Sequence, residues 1–275
     1  MSEALLFPGQ GAQHCGMGRD WCEAFPEAGR VFARASSALG WSVEDACWNR
    51  GEDIHRTDLA QPGIFTTSVC VVEVLMARGL DRRKSAMTAG LSLGEYTALW
   101  FAGALEFEDA VRLVALRGRA MQQASEACPS SMTSLMGASE EQARSLAAVG
   151  SKHGICSIAN LNAPGQIIVA GELAALDALE AAAKEHGVKR TRRLVVAGGF
   201  HSRCMLPAKA ALEQALGTVP IRAPAIPFVT NVTGELVSDP QEIRRFLAEQ
   251  VCASVLWEKS PRSAACARWP LWPIC

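Results

Sequence analysis

The chain has 275 residues, 49% of them hydrophobic and 20% charged, and a formal net charge of −1. That length holds one large domain or two smaller ones, and the composition is that of an ordinary globular protein rather than a disordered chain. The near-zero charge gives no footing for nucleic-acid or anionic-membrane binding. No apolar run is expected to span a bilayer, and neither a signal peptide nor an Arg-rich transit segment is expected before residue 4.

Residues 4–7 read as a first strand that enters the Gly-rich turn Pro8-Gly9-Gln10-Gly11-Ala12-Gln13. Helical patterning covers 19–39 and 64–78, the second apolar almost throughout, as in a buried helix. Residues 80–84 lead to a short apolar strand at 85–89, then Gly90-Leu91-Ser92-Leu93-Gly94, then a helix over 95–102. A further helix is expected over 107–124, with Ala110, Leu113, Val114 and Leu116 as its stripe. Strand, helix and strand in succession imply a mainly parallel sheet covered on both faces.

The rhythm then changes. The pattern predicts a strand at 132–137, a helix at 139–149 opened by a Ser139/Gln142 capping box, and a strand at 155–161. A turn at 162–165, a strand at 166–170, an amphipathic helix at 173–186 stopped by Gly187 and a strand at 189–195 follow. This β-α-β-β-α-β order is ferredoxin-like. Beyond it come the loop Ala197-Gly198-Gly199-Phe200-His201-Ser202, a helix at 206–216, a proline-rich crossing at 220–227, a strand at 228–232 and a helix at 240–252. The expected division is a catalytic core of residues 1–127 and 197–275, with an inserted subdomain at 128–196. None of the ten cysteines forms a C-x-x-C pair, so reduced thiols are expected and a zinc site is not.

Residues 90–94 spell G-x-S-x-G, the pattern of a nucleophile elbow, in which a serine sits on a strained strand-to-helix turn. A serine nucleophile needs a base. His14, His55, His153 and His186 lie in turns or in charged, surface-like segments. His201 follows a strand and a Gly-Gly turn, the setting of a site loop, and is the best candidate. A backbone N–H of the 8–13 turn, paired with that of the residue after the serine, can form an oxyanion hole. Arg117 lies in an otherwise apolar helix. Facing a pocket, its planar fork could hold a carboxylate; spacing alone leaves its direction open.

Five motifs occur in order: Phe7-Pro8-Gly9-Gln10-Gly11-Ala12-Gln13, Gly90-Leu91-Ser92-Leu93-Gly94-Glu95-Tyr96, Arg117-Gly118, Asn162-Ala163-Pro164-Gly165-Gln166 and Gly199-Phe200-His201-Ser202. Over roughly residues 4–260 the chain resembles the malonyl-CoA:acyl carrier protein transacylases of type II fatty acid synthesis, and is similar to polyketide synthase acyltransferase domains. The resemblance implies an α/β-hydrolase-like core with a parallel sheet and an inserted ferredoxin-like subdomain. It implies that Ser92 is acylated by malonyl-CoA and passes malonyl to the phosphopantetheine thiol of acyl carrier protein, with His201 as base and acid. It further implies an oxyanion hole from the N–H groups of Gln10 and Leu93, a carboxylate clamp at Arg117, and substrate contacts from Phe200 and Asn162. The histidine would be oriented by the backbone carbonyl of Gln250. Phe200 before the histidine accompanies malonyl rather than methylmalonyl in related acyltransferases. No cofactor or metal is implied. The expected protein is a monomer, cytoplasmic as in bacteria, or of a plastid or mitochondrial matrix if its transit peptide is absent.

The chain departs from the family pattern in three places. Leu91 stands where histidine is most common, and Ser254-Val255-Leu256-Trp257 where Pro-Val-Arg-Trp is usual. After Lys259 the tail carries three prolines and two tryptophans that suit neither helix nor strand. It reads as a frame-shifted or truncated end that removes a core strand, with a genuine divergent tail as the alternative. Two further readings are a serine esterase or thioesterase, and a degenerate family member that binds carrier protein without catalysis.

Overall fold

A computed structural model describes residues 3–260; the expectation about the tail lies outside the described residues apart from Ser260. In chain order the elements are β1 (Glu3–Phe7), α1 (Arg19–Ala24), α2 (Pro26–Leu39), α3 (Val43–Trp48), α4 (Thr57–Ala77), β2 (Ser85–Gly90), α5 (Gly94–Phe101), α6 (Phe107–Ala127), β3 (Ser130–Ala138), α7 (Glu140–Gly150), β4 (Cys156–Ala163), β5 (Gly165–Glu172), α8 (Leu173–Ala182), β6 (Arg190–Arg193), α9 (Leu206–Leu216), β7 (Phe228–Val229), β8 (Leu236–Val237) and α10 (Pro240–Gln250). They form a mixed α/β chain with two sheets and two compact units. Among the described residues, the first unit holds 3–123, 210–229 and 237–248; the second holds 124–209, 230–236 and 249–260.

In the first unit β1 pairs with β2, and β2 with β7, all in parallel. Phe7 lies opposite Gly90 in that register, so the turns after β1 and β2 start side by side. The helix expected over 19–39 is two helices. Pro26 opens α2 at its first position, where its missing N–H costs nothing, and it forces Phe25 into an extended conformation that ends α1. Gly40, at φ 76°, closes α2 in the left-handed conformation.

The largest correction concerns α4. It begins at Thr57 and carries Pro62 inside it, so it is 21 residues long. By length and hydropathy it meets the requirement for a membrane span, contrary to the sequence expectation that no run would. Of its most apolar stretch 61% is buried within the protein, which is the pattern of a core helix. Phe65 stacks on Phe107 at 5.8 Å, and Phe7 packs on Phe101 at the same centroid distance.

In the second unit the sheet order is β4-β5-β3-β6, and every neighbouring pair is antiparallel. One face is covered by α7 and α8, burying Leu135, Leu161, Ile167 and Val169 against Leu146, Leu176 and Leu179. The expected capping box is present: Ser139 Oγ accepts from the Gln142 N–H, and Gln142 Oε1 accepts from the Ser139 N–H. Residues beyond α10 join the same sheet. Leu161 N–H donates to the Val255 carbonyl and Val255 N–H to that of Ala159. The eight cysteines among the described residues form no disulfide.

Candidate active site

Ser92 and His201 are the two non-glycine residues with positive φ among the described residues, at 52° and 58°. Side chains avoid that region, and holding one there costs roughly 1–3 kcal/mol. Such strain persists where surrounding structure enforces it, and it marks both residues as site candidates on geometric grounds.

The elbow is enforced by crowding. A Cβ on Gly90 would collide with the Gly94 carbonyl group, and one on Gly94 with the Phe7 carbonyl oxygen. A Cβ on Gly9 would strike the Leu91 carbonyl oxygen, and the Leu91 N–H donates to the Phe7 carbonyl at 3.0 Å. The 8–11 turn and the elbow are thus pressed together, which brings Gln10 alongside the serine turn. Leu93 caps the front of α5 with its side chain fully buried. Its N–H stands at the positive end of that helix, where an anion is favoured.

Arg117 is 1% exposed. It falls on the buried stripe of α6 with Ala110, Leu113, Val114, Met121 and Ala124, at spacings of three and four. That periodicity decides a direction that the isolated motif left open. Arg117 Nη2 donates to Ser92 Oγ at 2.9 Å, and Nη1 donates to Gln61 Oε1 at 2.7 Å. The Tyr96 ring lies beneath, 5.8 Å from the guanidinium carbon. Burial lowers the Arg117 pKa from its ordinary value, with Tyr96 and Glu95 opposing that shift. Gln61 also donates from Nε2 to Gln10 Oε1 at 3.3 Å and to Met121 Sδ at 3.5 Å, and Gln10 Nε2 donates to Thr57 Oγ1 at 3.3 Å. Gln61 and Thr57 were missed by the sequence reading. The available signal was a glutamine in an apolar helix, and it was hidden because the helix was expected to start only at residue 64, whereas α4 starts at Thr57.

His201 is 4% exposed, while the other four histidines are exposed or half-buried. Its Nδ1 lies 2.7 Å from the Gln250 carbonyl oxygen. A carbonyl can only accept, so Nδ1 carries the proton and, in the neutral ring, Nε2 carries the lone pair. The loop that holds the ring is itself braced. The Gly199 N–H donates to Ser130 Oγ at 2.9 Å, and Ser202 Oγ donates to the Gly199 carbonyl at 2.5 Å and accepts from the Cys204 N–H. A Cβ on Gly198 would collide with Ser125. Phe200 is buried beside the histidine in sequence. Asn162 stands near the end of β4, and its Oδ1 is buried with no hydrogen-bond partner among the described residues. The structure therefore gathers Ser92, Arg117, Gln10 and Leu93 in the first unit, and His201, Gln250 and Phe200 in the second.

Residues 4–269 match the family model for the acyl transferase domain. The chain is 36% identical to the malonyl CoA-acyl carrier protein transacylase of Bacillus subtilis over 94% of its own length and 81% of that protein's. The acyl-carrier-protein S-malonyltransferase structure from Bartonella henselae matches with a TM-score of 0.90 and 37% identity, covering 95% of this chain and 84% of that one. A malonyl-transacylase solved in complex with its type II polyketide acyl-carrier protein matches with a TM-score of 0.89 and 34% identity, over 95% and 84% of the two chains.

Proposed function

The chain belongs to the acyl transferase domain family, and from that premise we propose that it transfers malonyl from malonyl-CoA to the phosphopantetheine thiol of an acyl carrier protein. Ser92 Oγ attacks the thioester carbonyl as His201 Nε2 takes the hydroxyl proton. The oxyanion forms against the Gln10 and Leu93 N–H groups. The tetrahedral intermediate collapses to malonyl-Ser92, and the leaving thiol takes the proton back from His201. The carrier thiol then repeats the sequence in reverse order, so the enzyme alternates between free and malonylated forms. Each step uses only the thioester substrates and these side chains.

The observation that carries this reading is the contact between Arg117 and Ser92. A buried guanidinium 2.9 Å from the nucleophile suits an acyl group with a second, anionic end. Neutral esters give it no use. The 2.7 Å Nδ1 contact of His201 supports its role as base and that of the Gln250 carbonyl as its orienting group. We assign Phe200 and the buried Asn162 Oδ1 to substrate contact. The parallel strands of the first unit support an α/β-hydrolase-like core, and the β4-β5-β3-β6 order supports a ferredoxin-like subdomain at 128–196, with 1–127 and 197–275 as the core.

Intact mass after mixing with malonyl-CoA tests the reading. One malonyl adduct on Ser92 is expected, absent in Ser92→Ala, strongly slowed in His201→Ala, and discharged by holo carrier protein. A folded protein that ignores malonyl-CoA yet turns over neutral esters overturns it.

A further inference from the structure

The hydrogen bonds leading away from Arg117 form a chain whose polarity is fixed at one end. A guanidinium donates and never accepts, so the Gln61 amide must turn Oε1 toward Arg117 Nη1, 2.7 Å away. Its Nε2 is thereby committed to donate, and it meets Gln10 Oε1 at 3.3 Å. The Gln10 amide is oriented in turn, with Nε2 donating to Thr57 Oγ1 at 3.3 Å. The orientation of both amides thus follows from Arg117. The packing that permits this is specific. A Cβ on Gly118 would come within 2.8 Å of the Thr57 carbonyl oxygen, so glycine there lets the first turn of α4 approach α6 closely enough for Gln61 to reach Arg117. Gln61 is almost fully buried and Thr57 fully so, which makes each unmade bond in this chain costly.

We propose that Gln61 is a positioning residue that couples the carboxylate clamp to the oxyanion hole. It holds the Gln10 side chain, and with it the 8–11 turn whose backbone N–H receives the oxyanion. Bonds donated in one direction polarise one another in a dry site. A carboxylate drawn onto Arg117 is therefore felt at the turn that stabilises the transition state, and the anionic end of malonyl is read in the rate of chemistry as well as in binding. This inference rests on the roles proposed above for Arg117 and Gln10.

The test is the single-turnover rate of Ser92 acylation across a range of malonyl-CoA concentrations, using the full chain. The variants are Gln61→Leu, Gln61→Glu, Gln10→Leu and the double variant Gln10→Leu/Gln61→Leu, each with its thermal midpoint. Gln61→Leu is expected to lower the saturating rate by roughly tenfold to a hundredfold, the scale of a slightly misplaced catalytic group, with a smaller change in the half-saturating concentration. Gln10→Leu should do the same, and the double variant should be no slower than the slower single, because both cut one chain. Gln61→Glu keeps the volume and the acceptor for Arg117 but has no donor for Gln10. It should also lose saturating rate, and it carries the test if Gln61→Leu fails to fold. An unchanged saturating rate, a loss confined to half-saturation, or losses that multiply in the double variant overturn the proposal. A wild-type protein that never acylates Ser92 overturns the underlying reading instead.

Discussion

Arg117 Nη2 donates to Ser92 Oγ across 2.9 Å, so one cation touches the proposed nucleophile from inside the core. The bond occupies a lone pair of the hydroxyl and leaves its proton available to a base. Replacing Arg117 by Ala should lower malonyl loading by roughly a hundredfold, about 3 kcal/mol, the value of a pair of charge-assisted hydrogen bonds. Loading from acetyl-CoA should fall less, so the ratio of the two rates should collapse. Arg117→Lys keeps the charge without the fork and should lie between. Parallel acylation rates decide it, and an unchanged ratio refutes the clamp.

The glycines make opposite predictions at different positions. Gly90→Ala and Gly94→Ala put a Cβ into backbone and should yield little folded protein or none that acylates. Gly29 lies inside α2 with open space around its missing Cβ. Gly29→Ala should raise stability by about 0.5–1 kcal/mol through helix propensity. Urea unfolding of the three variants would separate the cases, and a tolerated Gly90→Ala would mean that the elbow has another shape.

Burial pushes the Cys47 and Cys70 thiols up to about 12. The unfolded chain releases such protons near pH 9, so from about pH 9 to 12 the folded state holds more protons than the unfolded state. Stability is fully present below that window and falls as pH rises through it. The urea midpoint should therefore decline above about pH 9, and more shallowly in Cys47→Ala and Cys70→Ala. A midpoint that climbs across that range contradicts the assignment. At pH 8 the exposed Cys15 should be alkylated well before either buried thiol.

Local chemistry made much of this fold readable. Ser139 and Gln142 announce their helix start because a capping box needs only residues three apart. The elbow is legible because two glycines and a serine must share one turn. The misreadings came where neighbours compete. The pattern places the start of the second helix at residue 64, yet α4 runs from Thr57 through Pro62, with buried residues on either side of the proline. Pro26 looks compatible with a long helix and instead starts a new one. Gln61 was beyond local reading because its meaning depends on Arg117, 56 residues later. The partner of His201 is a main-chain carbonyl, which no side-chain type at residue 250 discloses; it was reached through the family resemblance alone.

The interlock of Phe7, Gly9, Leu91 and Gly94 has a consequence for engineering. Segments more than eighty positions apart in sequence are machined to one another, so neither is a portable cassette. Grafting the 8–13 loop of another acyltransferase without its elbow should misalign both, and libraries meant to retune substrate choice should vary the two stretches as a matched pair. The same logic discourages new chain ends between residues 7 and 11, where a break would release the bracket on the serine turn.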